Sequence, residues 1–477
     1  MDQRIVKNFI HNLSYQLLLI IVPMISAPYV SRCLGAANVG TFSYTSSVVS
    51  YFTLFVVFGF HVYGQREIAR VQNDISTRSQ LFYKIQLYKG IFCALVTLIY
   101  LAFVSFQHDY KIFYIIQLIT LISTFFDISY FFQGLEIFKI LVFLNGIVKV
   151  ISLICIFLFI HNDSDLNRYI LISCLSVLLG NLSMWVFLPR YTSKISRINA
   201  ISGKEFLIIL QLFLPMISVQ IYFNIDKTML GSMNKDMVAS GYYEQALKII
   251  RICQTVIISI GGVLISGASR LLSGSLEEEA KKTVQKSIDF ALLLASPMTF
   301  GLLAIADIFI PLYFGDDYLA STPIVLIMAP ILMMSAISNT VSNGLLIPLN
   351  RQNFISLSTL IAALVNVLLN FALIPSYSIR GAAVATVFTE LCVLILVIYF
   401  ARDYIFIGKI LFSLIKYLLF SFIMYMALNF IKPRLLSSYS ILRSTFELII
   451  IGMLVYGFIY LLSVFITRCY NKKAENI

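Results

Sequence analysis

The side chains of this sequence with chemistry to offer are charges set in apolar surroundings. Lys84, Lys89, Asp127 and Lys149 interrupt hydrophobic runs in the first half; Asp226, Lys227, Glu244, Lys248, Arg251, Asp289, Asp307, Glu390 and Lys416 do so in the second. An ionised group in hydrocarbon is costly unless it is paired or faces water, so each is a functional candidate by default. Lys84, Lys416, Asp289 and Asp307 fall near the ends of their runs, where contact with headgroups gives a structural reading. The others lie deeper. Lys248 and Arg251 share a helix face with Glu244 one turn earlier, and Glu244–Lys248 pairing would leave Arg251 in need of a partner. Lys149 sits well inside its run, and Asp226-Lys227 closes another. Around a cavity, such cations would attract an anionic group such as a phosphate. Asp127 and Glu390 have two readings: protonatable or cation-binding groups that couple ion movement, or counter-charges for neighbouring cations.

Other chemistries lack their motifs. No Gly-x-x-x-x-Gly-Lys-Ser/Thr run provides a nucleotide-hydrolysing loop. The seven cysteines form no Cys-x-x-Cys pair, and His11, His61, His108 and His161 are too dispersed to suggest a metal centre. Asp163-Ser164-Asp165 has the look of a metal-binding carboxylate pair but sits in a short loop with no nucleotide-binding domain around it. No covalent catalysis, metal or cofactor is expected.

The elements that must position these charges are membrane helices. The chain is 59% hydrophobic and 12% charged, with mean hydropathy +0.90, whereas a soluble domain carries about 25% charged residues. The fold class expected is an all-α polytopic membrane protein with about fourteen spans. The first two lie near 12–30 and 42–60, the fourth near 112–132, the seventh and eighth near 207–224 and 242–268, and the last two near 410–430 and 446–467. Pro23-Met24-Ile25-Ser26 and Pro215-Met216-Ile217-Ser218 are copies 192 residues apart (215 − 23), each a kink site in an apolar run. Leu34-Gly35 and Gly40 follow the first copy, and Leu230-Gly231 and Gly241 the second. That interval holds an even number of spans and implies two lobes related by an axis along the membrane normal. The division expected is a six-helix lobe over 1–190, a cytoplasmic linker over 191–206, a second six-helix lobe over 207–404, and two additional helices with a tail over 405–477. Lys and Arg gather at Arg66, Arg70, Arg190, Lys194, Arg197, Lys281 and Lys282. This places both termini in the cytoplasm and accounts for the net charge of +12 without a nucleic-acid partner.

Several stretches resemble a known family. Leu34-Gly35-Ala36-Ala37-Asn38-Val39-Gly40, Gly64-Gln65-Arg66-Glu67-Ile68-Ala69-Arg70, Phe131-Phe132-Gln133-Gly134-Leu135-Glu136 and Asp226-Lys227-Thr228-Met229-Leu230-Gly231 are similar to segments of bacterial polysaccharide repeat-unit flippases. These are the O-antigen and capsule exporters of the multidrug/oligosaccharidyl-lipid/polysaccharide superfamily. The resemblance implies alternating access, with an undecaprenyl-pyrophosphate-linked oligosaccharide carried from the cytoplasmic to the outer leaflet of the bacterial inner membrane. It implies polyprenyl-pyrophosphate-linked oligosaccharide and membrane lipid as partners, and other membrane proteins of polysaccharide assembly as candidates. Arg32, Asp226, Lys227, Lys248 and Arg251, with Lys149 added, are the positions to which it assigns substrate binding. Asp127 and Glu390 are the candidates for ion coupling. The rival readings are a cation-coupled multidrug exporter or a lipid II flippase of the same superfamily, and, from another class, a membrane polysaccharide polymerase or ligase.

Overall fold

A computed structural model describes residues 3–195, 200–273 and 277–475, with side chains placed for 21–195, 200–258, 278–279 and 281–466. Arg197, in the expected linker, lies outside the described residues. Every regular element described is helical, and the contacts divide the chain into two compact units, Met1–Glu244 and Gln245–Ile477.

In the first unit, α1 (Gln3–Val57) holds both Pro23 and Pro28 and breaks at Gly35, whose φ of 73° and ψ of 170° suit a residue without a Cβ. Its legs, 3–34 and 36–57, correspond to the first two spans expected. Phe58 and Gly59, both at positive φ, turn the chain into α2 (Phe60–Arg70). Asp74 then caps α3 (Ile75–Ser105) by accepting the N–H groups of Ser76 and Thr77. The expected fourth span is broken into α4 (Lys111–Phe126) and α5 (Ser129–Gly134). After α6 (Phe138–Phe159) and α7 (Leu166–Trp185), a reciprocal Ser202–Glu205 box starts α8 (Gly203–Met229), which contains Pro215. A π turn over Leu230–Asn234 and left-handed Lys235 lead into α9 (Met237–Ser273), whose first turns complete this unit. Tyr130, Phe131 and Phe132 are wholly buried with Phe82 and Ile85 in one apolar cluster, so the aromatic run of the fourth span is core. Asp165 takes the N–H groups of His161 and Asn162 and pairs with Arg168. The Asp163–Asp165 turn thereby uses its acidic side chain to close itself.

The second unit continues through α10 (Glu277–Phe314), α11 (Thr322–Met328), α12 (Ile331–Val341), α13 (Gln352–Ala401), α14 (Ile407–Ser438) and α15 (Ile441–Glu475). The run containing α11 meets that containing α12 at a 48° bend. Ser378 breaks α13 at φ 50° and ψ −130°. The last two helices are fastened to α10 by polar contacts. Ser413 Oγ donates to Asp289 Oδ1 at 2.5 Å, Ser421 Oγ to Ser296 Oγ at 2.9 Å, and Lys432 Nζ to Asp307 at 2.7 Å. Their outer faces expose Phe412, Phe430, Phe446 and Phe458, as lipid contact requires.

Ten described helical runs are long and apolar enough to cross a membrane, or eleven with the bent pair counted as one. Fourteen were expected. The difference arises where α1 and α13 each run on through a break, and at α9, whose side chains are described only to Ile258. The unit boundary falls at Glu244 and not in the linker because α8 packs against α1 and α2. The six-plus-six lobe division concerns the repeat, which that boundary does not address.

Candidate functional site

The sharpest concentration of polar contacts in the first unit is where α1, α8 and α9 meet. Lys227 Nζ lies 2.6 Å from Glu244 Oε2, and the same oxygen accepts from Ser43 Oγ at 2.7 Å. Next to them Tyr243 OH donates to Asp226 Oδ2 at 2.7 Å, with both residues buried. Thr228 stands within 2.9 Å of Ser47 Oγ and 3.3 Å of Tyr51 OH. This side of α1 carries Ser43, Ser47 and Ser50. Small hydroxyls there let the helices approach closely and give each polar group a partner.

Two glycines set that approach. A Cβ on Gly40 would strike the carbonyl oxygen of Met237, and one on Gly241 would strike that of Ala36. Each glycine thus faces the carbonyl four residues before the other. The offset between the strands of the contact is 201 in all three pairs: 237 − 36, 241 − 40 and 244 − 43. Ser43 and Glu244 thus meet at the same offset as the two glycine contacts, a hydroxyl against a carboxylate.

A second polar cluster surrounds the break between α4 and α5. The carbonyls left without helical donors there are taken by side chains from other helices. Gln86 Nε2 donates to Phe125 O at 2.6 Å, Trp185 Nε1 to Phe126 O at 2.8 Å, and Lys89 Nζ to Asp127 O at 2.6 Å. Asp127 Oδ1 accepts the N–H of Ser129, while its Oδ2 lies 3.9 Å from His61 Nδ1. Lys89 is only 3% exposed. Without water, a broken helix in the membrane needs such donors, because an unpaired backbone carbonyl is costly there.

The family profile described as "Polysaccharide biosynthesis protein" matches residues 5–272, more than half of the chain. The chain belongs to that family. A protein of Shigella dysenteriae, provisionally named an O-antigen transporter, is 23% identical over 383 residues, covering 78% of this chain and 94% of its own. Among solved structures, the lipid II flippase MurJ in an inward closed conformation has a TM-score of 0.74 at 17% identity, over 98% of this chain and 100% of its own. An outward-facing multidrug resistance MATE transporter has a TM-score of 0.59 at 14% identity, over 84% and 94%. These two share the fold of this polysaccharide biosynthesis protein.

Within the family member described here, the residues expected to bind substrate are distributed unevenly. Asp226 and Lys227 come together with Glu244, Tyr243 and Ser43. Lys248 and Arg251 follow on α9, half-buried, in the second unit. Arg32 is exposed, just before the Gly35 break. Lys149 is half-buried on α6, and among the described residues no hydrogen bond or ion pair reaches its ammonium. Of the ion-coupling candidates, Asp127 is built into the helix break and Glu390 is buried on α13. Lys84, read as snorkelling, instead meets Glu205 at 2.5 Å. No group of three His, Cys, Asp or Glu able to hold a metal occurs among the described residues.

Sequence reasoning did not single out Ser43, His61, Gln86, Tyr243 or Trp185. Their roles depend on partners more than ten residues away. Only the match in spacing between Ala36–Gly40 and Met237–Gly241 could have signalled one of these contacts.

Proposed function

We propose that this protein is a flippase moving undecaprenyl-pyrophosphate-linked oligosaccharide repeat units from the cytoplasmic to the outer leaflet by alternating access, for O-antigen or capsule assembly. The family, the helical fold and the relative named for O-antigen transport support this reading. The observation that carries it is Lys149, a half-buried cation in an apolar helix with no counter-charge among the described residues. Such a group is destabilising in the membrane unless water or a bound anion meets it, and a pyrophosphate is such an anion. Arg32, Lys227, Lys248 and Arg251 supply the remaining positive charge, with Asp226 fixing the end of α8. The polyprenyl tail stays in lipid while the hydrated sugars cross, which avoids stripping polar groups in hydrocarbon.

In this reading the two six-helix lobes rock about the repeat axis, both termini are cytoplasmic, and no covalent step occurs. Asp127 serves as the counter-charge of Lys89, and Glu390 remains the candidate for ion coupling. The test is transfer of undecaprenyl-pyrophosphate oligosaccharide across liposomes containing the purified protein. Transfer above protein-free liposomes is expected, with a loss of tenfold or more in Lys149→Met. Absence of transfer with any lipid-linked oligosaccharide would reject the function.

A further inference from the structure

We propose that the second unit holds, where α10 begins and α13 begins and ends, a binding site for the phosphate of an anionic phospholipid, formed by Lys281, Arg351 and Tyr404. The site goes beyond the transport reading and uses none of the charges assigned to the cargo.

The fold brings these residues together from three places in the chain. Lys281 lies in the second turn of α10, Arg351 immediately precedes α13, and Tyr404 closes the turn Arg402–Tyr404 that follows α13. The break at Ser378 lets the two ends of α13 lie side by side, where the rings of Phe354 and Phe400 stack with their centres 4.5 Å apart. The Arg351 guanidinium then stands 5.0 Å from the centre of the Tyr404 ring and 6.0 Å from that of Phe354, and its Nη2 donates to Tyr404 OH at 3.3 Å. From α10, Lys281 Nζ comes within 5.7 Å of the same Tyr404 ring.

Two cations gathered on one ring repel each other. The ring face attracts each of them but cancels neither charge. Among the described residues no carboxylate pairs with Lys281 or Arg351: Glu278 lies 3.6 Å from Lys282, and Asp403 lies 3.8 Å from Arg402. Tyr404 OH accepts from Arg351, so its own hydrogen is left to donate. Ammonium, guanidinium and phenol thus form a group of donors that lacks an acceptor. A phosphate diester is an anion with acceptor oxygens, and the fork of a guanidinium matches two of them. All three side chains are half-buried, whereas Lys282 and Arg402 are exposed. An anion at the cluster is therefore less screened than one on those neighbours.

The surroundings select a lipid over free phosphate. Leu357, Tyr399, Ile407 and Leu411 lie within two helical turns of Arg351 or Tyr404 along the chain, and all are exposed. A headgroup at the cluster leaves its acyl chains beside these apolar side chains, a gain that free phosphate does not have. In the orientation expected from the charge distribution, this end meets the cytoplasmic leaflet, where anionic lipids concentrate. The bound phosphate replaces a repulsion with a bridge from α10 to both ends of α13.

The experiment places the purified full chain in neutral detergent and resolves its binding of phosphatidylglycerol and phosphatidylcholine, molecule by molecule, by native mass spectrometry. Each variant is used when its lipid-free melting midpoint does not fall below the parent's. The first phosphatidylglycerol should bind about tenfold more tightly than phosphatidylcholine, as a hydrogen bond to a charged group allows. Arg351→Gln and Lys281→Gln should each abolish that preference, and Lys281→Gln decides the matter if Arg351→Gln does not fold. Tyr404→Phe, which keeps the ring and removes the hydroxyl, should weaken binding about threefold. Lys282→Gln and Arg402→Gln remove the same charge from the same end, outside the cluster, and should leave the preference intact. Losses in those two as large as in the cluster variants overturn the site, and so does a parent that binds both lipids equally. Displacement of phosphatidylglycerol by inorganic phosphate at equal concentration overturns the choice of a lipid as its occupant.

Discussion

The two polar clusters of the first unit use the same kinds of side chain for opposite ends. At the α4–α5 break, Lys89, Gln86 and Trp185 donate to backbone carbonyls. At the α1–α8–α9 corner, Lys227 and Ser43 donate to the side-chain carboxylate of Glu244. A carbonyl in a broken membrane helix has no other donor, so a lysine bound to it cannot leave without stranding it. The first cluster thus mends a helix, and the second ties side chains of three helices together. Burial agrees with this division, because Lys89 is buried whereas Lys227 is half-buried.

The largest effects should separate the clusters through their glycines. Gly241→Leu places a side chain against the Ala36 carbonyl, where two backbones cross and neither can yield locally. Loss of surface polysaccharide is expected to be complete in a complementation assay. Gly90→Ala, beside Lys89, meets only the edge of the Phe125 ring at 3.1 Å, a side chain able to move by a few tenths of an ångström. It should leave polysaccharide levels near those of the parent. Equal damage from both would erase the distinction.

Next come the two lysines. Lys89→Met strands the Asp127 carbonyl and should destabilise the fold by about 1–3 kcal/mol, the range for a buried acceptor left without its partner. It is read as a lowered melting midpoint and reduced protein level. Lys227→Met should cut transfer in liposomes at least tenfold while the protein accumulates normally. A smaller effect is expected from Trp185→Phe, which keeps an aromatic ring and removes the indole donor to Phe126 O; about 1 kcal/mol of stability should go, with transfer unchanged. A Lys89 variant that melts like the parent but transports poorly would show that Lys89 serves transport and not the helix break.

Much of this was legible in the sequence, with a consistent limit. Composition and hydropathy led to the helical membrane fold, and the two Pro-Met-Ile-Ser copies fall inside α1 and α8. Asp226, Lys227 and Glu244 stood out as charges in apolar runs. The Lys227–Glu244 contact did not, because spacing along α9 points to Lys248 beside Glu244 and cannot show that the chain fold also brings Lys227 from α8. Periodicity sees only neighbours on one helix. The α4–α5 break was hidden for a related reason: residues 112–132 contain no Pro or Gly at the break. Their interruption depends on donors from α3 and α7 that only the tertiary structure assembles.

The smallest effect expected belongs to a charge in water, and it tests whether the membrane makes the other two clusters special. Asp74 caps α3 outside the helical runs. Its carboxylate is held below the usual aspartate range by the hydroxyl and the N–H of Thr77, with the N–H of Ser76 adding to it. The unfolded chain takes up a proton there near pH 4, while the folded chain does so only at lower pH. The contribution to stability is therefore fully present above the unfolded value and is lost as pH falls through the folded one. Asp74→Asn keeps an oxygen for the amide donors but cannot titrate. Its melting midpoint should lie slightly below the parent's at neutral pH and converge with it in acid, and transfer should be unaffected. Solvent screens this site, whereas Lys89 is buried and Lys227 half-buried within the protein. A transport defect in Asp74→Asn as large as that of Lys227→Met would show that burial is not what separates these charges.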